Sequence, residues 1–120
     1  MANTNNFGQS SRDATIAIGQ NTSGALEVGG LNPCKILLPA TTGTSFTFQS
    51  SENGTDWFTL RDATGAPVTV TKQSASDTGF YQLEPALFAG LPGFIRIVSS
   101  ANEVAQRAFT IFSQCTVSLP

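Results

Sequence analysis

Apolar and polar residues alternate with a period of two over most of this chain, the pattern of strands that bury one face and wet the other. It is clearest over residues 45–71, SFTFQSSENGTDWFTLRDATGAPVTVT. Phe46 and Phe48 alternate with Thr47 and Gln49, Asn53-Gly54 suits the positive φ angles of a tight reversal, and Trp57-Phe58-Thr59-Leu60 resumes an extended, aromatic-rich run. Residues 62–67 form a second turn cluster, after which the β-branched run Val68-Thr69-Val70-Thr71 is expected to return alongside the strand before it. The rest of the chain is organised around these three strands.

On the N-terminal side, Thr15-Ile16-Ala17-Ile18 and Ala25-Leu26-Glu27-Val28 alternate about a turn at 21–24. Gly29-Gly30 and Asn32-Pro33 punctuate the next connection, and Lys35-Ile36-Leu37-Leu38 is a strand stopped by Pro39. Beyond the polar loop 72–79, Phe80-Tyr81-Gln82-Leu83 reads as a strand. Residues 85–90 read as a helical turn, with Pro85 early and Gly90 at its end, setting Leu87 and Phe88 against one end of the core. Phe94-Ile95-Arg96-Ile97-Val98 and residues 105–112 are the last strands.

About nine short strands with one helical turn predict an all-β fold, an antiparallel β-sandwich of the jelly-roll type. The expected core is Ile16, Ile18, Leu26, Val28, Ile36, Leu38, Phe46, Phe48, Phe58, Leu60, Val68, Val70, Leu83, Phe88, Ile95, Ile97, Phe109 and Ile111. Trp57, Phe94 and Phe112 lie on strands with large apolar residues on both faces, and any of them that points outward leaves a patch suited to a partner. Residues 1–12, with Phe7 alone among large apolar side chains, read as a flexible arm; 13–113 form the sandwich and 114–120 a short tail.

Composition narrows the function classes. The chain has 120 residues, enough for one domain with a real core. Only 12% are charged, so the wet surface is mostly Ser, Thr, Asn and Gln, a surface that is easily desolvated against another protein. The net charge is -2 and the six basic residues are scattered, which argues against nucleic acid. No run is apolar enough for a membrane helix, and the first residues lack the features of a signal peptide. A cytosolic origin is therefore the default, and with it Cys34 and Cys115 are expected to be free thiols.

Candidate chemistry is sparse. There is no His, so the commonest general base and metal ligand is missing, and no Ser sits in a G-x-S-x-G elbow. The eight carboxylates fall mainly at turns and strand ends, where solvated turn positions account for them. Their spacing matches neither a glycosidase pair nor a calcium loop, and the Gly-Gly pair follows no phosphate-binding pattern. The expectation is a protein that is not an enzyme and has no cofactor and no metal.

The segments ATIAIGQNTSGALEVGGL, LLPATTGTSFTFQSSENGTDWFTLRDATGAPVTV, YQLEPALFAGLPGFIRIVSS and QRAFTIF resemble a family of small proteins encoded near capsid genes in tailed bacteriophages. The resemblance covers about 100 residues, and SFTFQSSENGTDWFTL and LEPALFAG with the FIRI strand are its most specific parts. It implies a head decoration or cement protein, a homotrimer by analogy, made in the host bacterial cytoplasm. Such a protein binds the major capsid protein outside the shell, with no nucleic acid or membrane partner. On this reading Phe7 of the arm and the loops around Asn32 and Asn102 are the expected capsid contacts; a head fibre or tail role is the neighbouring alternative. The hairpin alone is also similar to one in discoidin-type carbohydrate-binding modules, which implies sugar stacking on Trp57 or Tyr81.

Overall fold

The computed structural model describes residues 10–114. Nine strands and one helical turn follow in order: β1 (Ser10–Ile16), β2 (Leu26–Glu27), β3 (Pro33–Leu38), β4 (Ser45–Ser51), β5 (Phe58–Thr59), β6 (Thr69–Thr71), β7 (Gly79–Gln82), α1 (Pro85–Phe88), β8 (Phe94–Ser99) and β9 (Arg107–Ser113). β1 starts at Ser10, so residues 10–12 belong to the sandwich and not to an arm. Phe7 lies outside the described residues.

Two antiparallel sheets are formed, ordered β1-β9-β3-β7 and β2-β8-β4-β5, with β6 also on β4. The pairs β1 with β9, β2 with β8, β3 with β7, and β4 with β5 and β6 are nested, as in one long hairpin. Folding that hairpin over so that β9 meets β3 and β8 meets β4 closes the two sheets. This is the jelly-roll topology expected from the sequence.

The core lies between the sheets and is supplied by the alternate residues of each strand. Phe46 of β4 meets Phe109 of β9 edge to face across the sandwich at 5.7 Å, and Phe48 meets Phe88 of α1 at 5.0 Å and 90°. All four rings are buried, each stabilising the fold by about 1.5–3 kcal/mol relative to exposure. α1 thus closes one end of the core, as its sequence indicates.

The expectation for β6 is corrected. Val70 pairs with Phe46 of β4, and between Arg61 and Pro67 a single bridge is all that joins β6's approach to β5's departure. β5 and β6 are two pieces of one interrupted edge strand, from which residues 61–67 are extruded. Asp62 organises that excursion, its carboxylate accepting from Thr64 N–H, Thr64 Oγ1 and Ala66 N–H. The turn chemistry was therefore legible, but β4 offered a longer continuous edge than β5 did.

Two expected core residues are exposed. Ile18 is 67% exposed because β1 ends at Ile16 and the chain reverses through a turn in which Gln20 N–H donates to Ala17 O. Phe58 is 71% exposed although it pairs with Ser50 on the core-facing side, because β5 is the edge strand of its sheet; at the same level Ile95, on β8 beyond β4, is fully buried. Leu60 and Val70 pack against the core from partly buried positions, and Trp57, Phe94 and Phe112 are half-buried.

Cys34 is disulfide-bonded, which corrects the expectation of a free thiol. The chain's other cysteine, Cys115, lies outside the described residues, but β3 and β9 bring its neighbour close: Pro33 pairs with Ser113, and Gln114 N–H donates to Asn32 O at 3.0 Å.

Candidate functional site

The four loops at one end of the sandwich, 17–25, 39–44, 72–78 and 100–106, are fastened together by two buried charges. Glu103 is fully buried. Its Oε1 accepts from Thr42 N–H at 2.7 Å and Arg107 Nε at 3.0 Å, and its Oε2 accepts from Gly43 N–H at 3.1 Å and Ser99 Oγ at 2.7 Å. Its backbone takes part too: Glu103 N–H donates to Gln20 O and Gly19 N–H to Glu103 O. One residue therefore ties three loops and the start of β9, with every carboxylate lone-pair direction answered.

Lys72 does the same for the remaining loop. It is 3% exposed, and its ammonium donates to Pro39 O, Thr41 Oγ1 and Ala75 O at 2.8, 2.9 and 2.8 Å. Three acceptors match its three protons, so the buried charge is satisfied. Burial lowers its affinity for that proton, and Asp77 and Glu103 restore part of it. For Glu103, burial pushes the carboxyl up, but the donors Thr42, Ser99, Gly43 and Arg107 together outweigh it and hold the carboxyl below its ordinary range. Glu103 departs from the solvated-turn reading of the carboxylates; its non-local convergence of donors leaves no signal in the sequence.

On this braced end stand two exposed apolar side chains. Ile18 and Val104, 67% and 70% exposed, flank the two residues joined by the Gly19-to-Glu103 hydrogen bond. Val104 N–H also donates to Thr42 Oγ1. Asn102, one of the expected contact residues, is exposed in the same loop, on the other side of Glu103. The arrangement is a small apolar spot with a polar neighbour, on backbone that cannot yield without breaking buried charge contacts. Such an arrangement is equipped for rigid recognition, not for proton transfer, since both ionic groups are enclosed.

The other expected residues lie elsewhere. Asn32 is exposed at the opposite end, its backbone exchanging hydrogen bonds with Gln114, so it cannot share one contact patch with Asn102. Trp57, also at that end, is half-buried with the Arg96 guanidinium 4.3 Å over its ring; Arg96 is held in turn by Gln49 at 2.6 Å. Tyr81 pairs with the buried Ile36, so its ring faces inward and packs against the core. Neither ring offers two free faces for stacking. The exposed aromatics that sequence reasoning passed over are Phe58 and Phe80, the latter 66% exposed and 5.7 Å from Phe112 on the outer face of its sheet.

Among the described residues, no group of three or more His, Cys, Asp or Glu could hold a metal ion, and no helix is long and apolar enough to cross a membrane. In comparisons with protein-family models, curated proteins and solved structures, nothing matches this chain.

Proposed function

We propose that this protein is a non-enzymatic structural component of a phage virion, a decoration or cement protein that docks on the outside of the head through its braced loop end. The observation that carries the reading is the pairing of exposed Ile18 and Val104 on loops locked by buried Glu103. Exposed apolar side chains on rigid backbone lose little conformational entropy on docking, which is what a repeated lattice contact needs. The residues that resemble the phage family, and a surface with few charges to desolvate, support the same reading. A disulfide-bonded Cys34 suits a protein that works outside the reducing cytoplasm, as a particle surface does.

The mechanism is linkage. A protein that binds the assembled lattice and not the free capsid subunit stabilises the lattice by its own binding free energy. Threefold association of the knob would let one particle-bound unit touch several capsomers, so each contact can be weak while the whole is retained.

Heads built from a tailed-phage major capsid protein supply the test. Added protein should cosediment with them at a fixed copy number and raise their melting temperature, and Ile18→Asp with Val104→Asp should abolish both effects without unfolding the free domain. A copy number confined to a vertex or tail assigns the protein to a fibre instead. Absence of cosedimentation rejects the reading outright.

A further inference from the structure

At the end opposite the braced loops, a cleft of about 360 Å³ opens between β5, the 52–57 loop and Pro92. Its floor is apolar: Phe58, Leu60 and Pro92. The rest of its lining is polar and of mixed charge, including Glu52, Asp56 and Arg61. The volume is that of a small-molecule site, and the few convergent polar groups over an apolar floor are what such sites are made of.

The floor owes its openness to the sheet edge. Phe58 faces the core side of its sheet but lies on the edge strand β5, so its ring is presented to solvent by paired sheet backbone. The rim is preorganised as well. Asn53 Oδ1 accepts from Thr55 and Asp56 N–H at 2.9 Å each, Asn53 Nδ2 donates to Asp56 Oδ2, and Ser51 Oγ accepts from Gly54 N–H, fixing the loop from within. One Asp56 oxygen, the second proton of Asn53 Nδ2 and the far guanidinium nitrogen of Arg61 remain for a ligand.

We infer that this cleft is a binding site for a short neutral saccharide, with Phe58 stacking on a sugar ring and Asp56, Asn53 and Arg61 bonding its hydroxyls. Charge decides the class. With Glu52 and Asp56 against a single Arg61 in its lining, the cleft disfavours phosphate or another anion, and among the described residues no group of three metal-ligating side chains stands there. Adjacent acceptors and donors over an exposed aromatic face complement vicinal hydroxyls over the apolar face of a pyranose. The site is separate from the loop end and does not rest on the docking proposal.

Backbone-amide NMR titration of the full chain with maltotriose, cellotriose, chitotriose and mannotriose, each to about 20 mM, reads weak binding of this kind. At least one trisaccharide is expected to move the amides of Gly54, Asp56, Phe58, Thr59 and Arg61, while those of Gly19 and Val104 stay in place. Phe58→Ala should weaken that binding by about tenfold, and Phe58→Leu, which keeps the bulk but not the ring, should do the same. The proposal is overturned if no trisaccharide moves these amides, if inorganic phosphate moves them instead, or if both Phe58 variants bind as the wild type does.

Discussion

Glu103 and Gly43 show how single residues set the rigidity of the proposed docking end. Replacing Glu103 by Gln keeps its shape but turns an amide N–H₂ toward donors that need an acceptor, leaving Arg107 without its partner. The expected loss is about 3 kcal/mol, read by denaturant unfolding. Its acid dependence has a definite sign. The folded-state carboxyl is held below its unfolded value of 4.5, so its contribution is present above that pH and is lost as pH falls through the folded value. Stability of the wild type should therefore decline below pH 4.5, and Glu103→Gln should show a shallower decline; equal slopes would count against the buried network. Gly43 is required by proximity and not by φ: a Cβ there would lie 2.2 Å from Ser99 Oγ and 2.9 Å from Ser100 Oγ. Ser99 is itself held by Glu103, so it cannot swing aside cheaply. Gly43→Ala should cost about 1–3 kcal/mol and lower Tm by roughly 5–15 °C in a calorimetric scan. A Tm within a degree of wild type would mean that these loops yield more than their hydrogen bonds imply.

Among elements, β3 with β9 is the pair whose consequences reach furthest. Their register sets Cys34, half-buried on β3, beside the end of β9, and Cys34 is disulfide-bonded. A native disulfide stabilises a fold by about 2–4 kcal/mol. Reductant should lower Tm by more than roughly 10 °C, and Cys34→Ser should lower it equally and remove the response to reductant; a Tm indifferent to reductant overturns this. The same pair shows what the sequence could convey. Alternation marked β3, β4, β8 and β9 and most of their buried faces, because Ile36, Phe46, Ile97 and Phe109 keep strict parity with their neighbours. Parity does not say where a strand ends or whether an edge strand is covered, so it places Ile18, at a turn apex, and Phe58, on the edge strand β5, inside. It also does not say which edge a strand chooses, so β6 was assigned to β5 although β4 held the free hydrogen-bonding edge. Glu103 was beyond reach for a further reason: its donors come from three segments, and only the closed sandwich brings them together.

Taken whole, the molecule has two unlike ends. Loops 17–25, 39–44, 72–78 and 100–106 form one end, braced by Lys72 and Glu103; the 52–57 loop, α1 and the Phe58 cleft form the other. A knob docked by the first end would hold the cleft outward. Of the expected contact residues, Asn102 belongs to the docking end and Asn32 to the far one, so Asn32→Ala should leave head binding unchanged while Asn102→Ala weakens it by a few-fold, measured by cosedimentation. Equal losses from both would require contact along the whole flank. The nested hairpin carries one more implication. Ser10 and Ser113 are paired, so both extremities of the described chain leave the sandwich side by side, away from the docking loops. If the proposed docking holds, a passenger peptide joined beyond these two strand ends would set out from the pole that faces away from the particle.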